Sequence, residues 1–286
     1  MKKVLATDLD GTLFYPRRYF GLIAKKNVKF LRRYIDDGGR VALITGRSQD
    51  FIKKVMKKVA RPMDAMTCNG ANMMIDGKMI EQKYMSEEEM RSVINYLDEK
   101  YHPLAFILMT DNFPSIVAAK RRNIILKLLY RIWYFFQFSY AEKYTFSDRN
   151  KPDGLFNNQL KTNKISKLLV FMGLRKKYIE LNKEVNKELR AKFSHLEFSW
   201  SNQVIEITPH GAEKSKAISK YLEHLNIAPD DCIVAGDSGN DITMFETFRN
   251  NVCMGHASNT VKKYATHIVS HYYDIDRFVY EEDKGF

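Results

Sequence analysis

The hydrophobic pattern of the first third of the chain alternates short buried runs with amphipathic stretches. Val4–Ala6 is a brief apolar run that ends in acids and Gly11. Residues 24–37 place Val28, Leu31, Tyr34 and Ile35 on one face at helical spacing, and Gly38-Gly39 stops that helix. Val41–Ile44 reads as a second buried strand, ending at Thr45-Gly46-Arg47. A further helix runs from Ser48, its N-cap, to Ala60, and Asp64–Cys68 is a third strand. Asp76-Gly77 between the apolar triplets MMI and KMI signals a tight hairpin. This alternation predicts a parallel sheet with right-handed crossovers.

The pattern changes at Ser86. A helix opens there with the capping-box pair Ser86 and Glu89. Leu104–Thr110, Ser115–Ala119 and 167–173 read as strands, 174–192 as a basic helix, and Glu197–Trp200 with Val204–Thr208 as a strand pair. After Pro209 the alternation resumes: helix Ala212–Leu225, strand Cys232–Ala235, helix Ile242–Phe248, strand Asn251–Met254, helix Thr260–Ala265. The fold expected is therefore α/β, with a Rossmann-like doubly wound parallel-sheet core in residues 1–84 and 209–286. An α+β unit, residues 85–208, is inserted between its halves.

Composition narrows the class without naming it. The 286 residues are 45% hydrophobic and 28% charged, which is ordinary for a globular protein and excludes a disordered or fibrous one. Three scattered cysteines make no disulfide framework and no CxxC pair, so a reduced, cytoplasmic setting is expected. Asp8 and Asp10 interrupt the apolar start before a signal-peptide core could form, and no run of about 18 uncharged apolar residues suits a membrane helix. The net charge of +12 is localised: residues 120–192 hold 18 Lys+Arg against 6 Asp+Glu, and the remainder sums to zero.

Candidate chemistry collects where strands end. Asp8 and Asp10 stand two apart, so strand periodicity sends both side chains the same way. Carboxylates about 4 Å apart repel by roughly 4 kcal/mol at an effective dielectric of 20, and a divalent cation is the usual remedy. Helix capping accounts for one such acid but not for DLDGT. Thr45 and Gly46 offer a hydroxyl and backbone N–H groups near a helix start, a seat for phosphate, although Thr-Gly is common in turns. Lys214 falls in a first helical turn, where a solvated lysine is the plainer reading. Asp237, Asn240 and Asp241 gather on a strand-to-helix turn in a manner suited to a metal and its supporting shell. Ligands of open parallel sheets bind beyond the carboxyl ends of the strands, where all of these lie.

DLDGTL (8–13), ITGR (44–47), NGA (69–71), the lysine of HGAEKSKAI (210–218) and GDSGNDITMF (236–245), in that order, resemble the haloacid dehalogenase-like phosphatases, specifically the Cof-type branch (subfamily IIB) with a large insert cap. The resemblance covers the whole core, and the cap by position only. It implies that Asp8 attacks phosphorus to give an aspartyl-phosphate, while Asp10 protonates the leaving oxygen and then activates water. Mg²⁺ would be held by Asp8, the Asp10 backbone carbonyl and Asp237, with Asp241 in support. Thr45, Gly46, Lys214 and Asn240 would serve the phosphoryl group or the nucleophile. One departure is His256, where the family often has Asn. The substrate implied is a small phosphorylated metabolite such as a sugar phosphate. A sugar-phosphate mutase of the same fold and a non-enzymatic phospho-acceptor remain as alternatives.

Other motifs carry less. GDSG at 236–239 also matches a serine-protease segment, but here it leads into a helix. His267 and His271 sit in a strand leading to a loop, not on a helix face, and there is no P-loop. In the apolar-aromatic stretch 123–138, Asn123, Lys127 and Arg131 form a narrow polar stripe, which predicts a helix packed on the insert's sheet. The basic-aromatic segment 120–138 leaves open a subunit interface or contact with an anionic membrane surface. No nucleic-acid recognition motif accompanies the charge.

Overall fold

The computed structural model describes residues 3–16, 21–110, 114–119, 143–173, 175, 177–201 and 204–280. The helix expected at 123–138 and the segment 120–138 lie outside the described residues. Two compact units divide the chain, Met1–Glu81 with Glu213–Phe286, and Gln82–Ala212.

The first unit begins with β1 (Val4–Thr7), α1 (Lys25–Asp36), β2 (Arg40–Ile44), α2 (Gln49–Val59), β3 (Asp64–Thr67), β4 (Asn72–Ile75) and β5 (Lys78–Gln82). The second contains α3 (Glu87–Lys100), β6 (Ala105–Thr110), β7 (Ser115–Ala119), β8 (Tyr144–Asp148), α4 (Leu155–Leu160), β9 (Ile165–Phe171), α5 (Lys177–Lys192), β10 (Leu196–Ser201) and β11 (Val204–Pro209). The chain then returns to the first unit as α6 (Lys214–His224), β12 (Cys232–Gly236), α7 (Ile242–Thr247), β13 (Asn251–Met254), α8 (Asn259–Lys262) and β14 (His267–Val269).

One sheet, in the order β14-β13-β12-β1-β2-β3-β4-β5, forms the first unit. Its strands are parallel from β14 through β3, whereas β3 and β4 pair antiparallel. The fold is thus the Rossmann-like α/β type, with the hairpin extending the sheet at one edge. Asp76 and Gly77 both take positive φ (50° and 75°), the conformation that a two-residue hairpin turn with matching twist requires. β1 and β12 are buried along their whole length, as strands covered on both faces must be. Their aliphatic residues pack with Ile218, Tyr221 and Leu222 of α6 and with Met244 and Phe245 of α7.

Register decides what the sheet presents at its carboxyl edge. Thr7 pairs with both Leu43 and Ala235, so β1, β2 and β12 end side by side. Order also reverses there, since β2 and β3 follow β1 on one side while the late strands lie on the other. This is the switch point at which open α/β sheets bind ligands.

The second unit carries a six-stranded sheet in the order β10-β11-β9-β6-β7-β8, antiparallel except for β7 with β8. Phe106, Leu108, Leu168 and Val170 share a core with Met90, Val93 and Leu97 of α3 and Val185 and Leu189 of α5. β8 and α4 escape the sequence pattern. β8 (YTFSD) is only partly buried, so no clean two-residue alternation marks it.

Several expected boundaries move by a residue or two. The face of α1 rotates as well: Asn27, Leu31 and Tyr34 are fully buried, Phe30 and Val28 nearly so, and Ile35 is half-buried. Asn27 can sit inside because its amide donates to the carbonyls of Leu13 and Tyr15 at 2.9 and 3.0 Å. The α3 capping box is fully formed, with Ser86 Oγ accepting from the Glu89 N–H and the Glu89 carboxylate accepting from the Ser86 N–H. Replacing Ser86 with Ala should therefore destabilise the second unit by about 1 kcal/mol in urea unfolding, and an unchanged midpoint would show the cap to be irrelevant.

Candidate active site

Asp8 directly follows β1, and its N–H continues the sheet by donating to Ala235 O at 2.9 Å. Because the strand itself ends at Thr7, strand periodicity does not extend to Asp10. The periodicity argument for the pair therefore does not hold, although the Asp10 carboxylate stays near enough to add to the rise in pKa of both Asp8 and Asp237. The Asp8 side chain is buried, while Asp10 is half-exposed and its carboxylate is gripped by Arg47 through Nε and a terminal nitrogen at 2.5 and 2.6 Å. Between them and the next helix the chain turns tightly through Leu9–Leu13, with Gly11 at φ +81°. A Cβ on Gly11 would lie 2.2 Å from Asp237 Oδ2, so the turn admits no larger residue without moving that acid.

The second arm comes from the turn after β12. Asp237 Oδ1 accepts a hydrogen bond from Thr12 Oγ1 at 3.0 Å, tying it to the Asp8 turn. Asp241 is fully buried, and its Oδ2 accepts from the N–H groups of Asp237 and Ser238, both at 2.9 Å. Asn240 Oδ1 accepts from Ser238 Oγ at 2.6 Å. Oxygens of Asp8, Asp237 and Asp241 lie within 4.8 Å of one another.

Lys214 joins these acids from the first position of α6. It is no solvated lysine: the side chain is 2% exposed, and Nζ donates to Asp8 Oδ1 and Asp241 Oδ1, each at 2.7 Å. Burial alone would lower its pKa, but the carboxylates of Asp241 and Asp8 outweigh that and hold the ammonium above its ordinary value. Thr45 is also buried at the end of β2, but the backbone N–H groups expected to be open there are partly committed. The Thr45 N–H donates to Met66 O at 3.0 Å, and the Arg47 N–H donates to Thr45 Oγ1 at 3.2 Å. Gly46, between them, is half-buried.

Charge counting tests the fit of a metal. Three carboxylates face one ammonium, which leaves two negative charges uncompensated in a mostly dry pocket. Burial raises Asp8 well above the usual carboxylate range, with Lys214 pulling the other way and neighbouring acids adding to the rise. Burial and Asp241 push Asp237 up to about 7. An all-oxygen donor set carrying a surplus of two negative charges suits a hard divalent cation.

Sequence reasoning assigned no separate part to Thr12, Arg47 or Tyr15. The first two stand inside the quoted DLDGTL and ITGR runs. Tyr15 carried no signal: its ring stacks on His256 at 3.9 Å between centroids, and His256 Nε2 lies 3.5 Å from Asp237 Oδ2.

A Rossmann-like sheet with buried acids and a lysine at its switch point defines a class of phosphoryl-handling enzymes, and comparison with known proteins agrees. The sequence profile of the haloacid dehalogenase-like hydrolases matches residues 5–277. The chain belongs to that family and is a Cof-type phosphatase within it. It is 24% identical over 283 residues to the pyridoxal phosphate phosphatase YbhA of Escherichia coli, covering 93% of each chain. It is 26% identical over 280 residues to the 5-amino-6-(5-phospho-D-ribitylamino)uracil phosphatase YwtE of Bacillus subtilis, covering 93% of this chain and 92% of the relative. Among solved structures, a haloacid dehalogenase-like hydrolase from Bacteroides thetaiotaomicron shares the fold with a TM-score of 0.73 at 19% identity, covering 98% of this chain and 100% of the other. The subclass IIB sugar phosphatase BT4131 does so with a TM-score of 0.70 at 20% identity, covering 96% and 95%.

The raised Asp237 pKa has a consequence for stability. A carboxyl whose folded pKa lies near 7, above its ordinary 3.8, contributes most below about pH 4, and that contribution is lost as pH rises to 7. With EDTA present, Tm should fall across this window, and Asp237→Asn should flatten the slope. Equal slopes for the two proteins would show that Asp237 is not the group responsible.

Proposed function

We propose that this enzyme hydrolyses a small phosphomonoester, a sugar phosphate or similar metabolite, in a Mg²⁺-dependent reaction through an aspartyl-phosphate on Asp8. The observation that carries this reading is the buried Asp8–Lys214–Asp241 arrangement beside Asp237, with its two uncompensated negative charges. Asp8, Asp237 and the Asp10 backbone carbonyl would hold the cation, and Asp241 would brace them. Bound there, the cation would supply the positive charge that lets a phosphate dianion approach carboxylates.

The chain's own groups divide the remaining work. An Asp8 carboxylate oxygen attacks phosphorus as the bond to the leaving oxygen breaks, and Asp10 gives that oxygen its proton. Asp10 then takes a proton from water, whose oxygen attacks phosphorus, releasing inorganic phosphate and restoring Asp8. Lys214 keeps the nucleophile aligned through its 2.7 Å contact and offsets the charge that gathers on the phosphoryl oxygens. Thr45, Gly46 and the Asn240 amide are the donors that would hold those oxygens. Arg47 donates to both oxygens of the Asp10 carboxylate, so one of these contacts must open before Asp10 can carry a proton to the leaving oxygen.

The substrate class rests on relatives whose names specify small phosphorylated metabolites, such as pyridoxal phosphate. Nucleic acid has no part in this reading. The three cysteines are buried and free, in keeping with a cytoplasmic setting, and no described helix is long and apolar enough to cross a membrane.

Asp8→Asn should keep the fold, since it preserves shape, and should lower p-nitrophenyl phosphate hydrolysis by on the order of a thousandfold. Near-normal turnover in that variant would remove Asp8 as nucleophile. A panel of sugar phosphates, nucleotides and phosphorylated cofactors, scored for free phosphate against isomeric product, separates a phosphatase from a mutase. A lasting phosphoprotein with little phosphate release would instead indicate a phospho-acceptor.

A further inference from the structure

Residues 25–61 of the core carry twelve Lys+Arg and only three Asp+Glu, a net of +9, whereas the rest of the core (the remainder of 1–84 with 209–286) carries a net of −3. None of the three acids lines one particular cleft, and each is committed to another partner. Asp36 pairs with Arg61, Asp50 with Lys53, and Asp37 accepts the Tyr280 hydroxyl. The cleft, of about 320 Å³, is lined by Lys25, Val28, Lys29 and Arg32 of α1 and Lys58 of α2. Lys25, Lys29 and Lys58 are exposed and make no ion pair among the described residues. Arg32 is anchored from the rear, where Nε donates to Val59 O at 2.7 Å at the end of α2, so its guanidinium is held in place.

We propose that this cleft binds a small anion bearing two or more linked phosphates, at a site separate from the acid cluster and sharing no residue with it. Several observations set the ligand class. Lys25, Lys29 and Lys58 have no ion-pair partner among the described residues, Arg32 only shares the field of Asp36 with Arg61, and an anion bound among the four removes the cost of their mutual repulsion. Lys25, Lys29 and Arg32 recur at helical spacing and cover about 10 Å of the α1 axis, more than one phosphate can reach. Val28, buried at the centre of that stripe, gives the cleft an apolar floor and keeps it concave. The volume lies at the lower end of the range of small-molecule sites, enough for a small anion but not for a folded polyanion. A lysine near the end of α2 also complements the helix dipole, which explains Lys58 alone but not the convergence of three cations from α1 on the same cleft.

Titration calorimetry with inorganic tripolyphosphate on the full chain, in EDTA and low salt, tests the proposal. Without a metal, the acid cluster repels the probe, and because residues 120–192 are also basic, the difference between variants rather than the total heat reports this cleft. Lys25→Ala/Lys29→Ala/Lys58→Ala should weaken binding about tenfold or more. Lys53→Ala/Lys54→Ala/Lys57→Ala removes the same number of charges from α2 outside the cleft and should change affinity by no more than about threefold. Orthophosphate should bind at least about tenfold more weakly than tripolyphosphate. Turnover of p-nitrophenyl phosphate should match wild type in both triple variants. Equal losses in the two would reduce the effect to a diffuse field and overturn the site. So would a wild-type protein that gives no binding heat, or one that binds anionic vesicles through the cleft lysines yet ignores tripolyphosphate.

Discussion

A single ammonium group makes the catalytic architecture tenable. Lys214 lies between Asp8 and Asp241 in a region closed to water, and each of the three groups would be costly to bury alone. Removing one member of such a buried charge set typically costs about 3–5 kcal/mol, because it strands the others. Much of the local backbone serves that contact. Gly211 at φ +71° and the extended Glu213 delay the helix start, so Lys214 becomes its first residue and extends from the helix end. Gly70 lets α6 approach closely enough that a Cβ there would meet Ala217 Cβ at 2.4 Å. The lysine offsets one of three carboxylates and no more, and the remaining charge is what makes the pocket a cation seat rather than a closed salt-bridge triad.

Charge is distributed on a larger scale by the same logic of local compensation. Within the first unit, α1 and α2 concentrate cations while acids gather at the carboxyl edge of the sheet. Elsewhere, carboxylates inside the molecule are met by committed partners. Asp64 is held by Arg40, by the Tyr221 hydroxyl at 2.6 Å and by the Asp76 N–H at 2.8 Å. Lys167 and Glu206 likewise pair at 2.8 Å on neighbouring strands of the second unit. Net charge by segment therefore conceals the distinction that matters, between acids and bases with partners and those without.

The sequence by itself determined the α/β class, the hairpin at Asp76-Gly77, the α3 cap and the order of the motifs. Those features are encoded by local preferences, by periodicity and by the residues that turns and caps demand. Less legible were β8 and α4, where partial burial at a sheet edge erases the alternation, and the inward face of α1, where Asn27 is buried because main-chain carbonyls of a distant turn receive its amide. Only the tertiary structure decided which acids meet. Asp8 and Asp10 are two residues apart yet differ in burial and partner, whereas Asp8 meets Lys214 and Asp241 from more than two hundred residues away. That convergence follows from the pairing of Thr7 with Ala235 and from the packing of α6 beneath the sheet, and no local periodicity carries information about either.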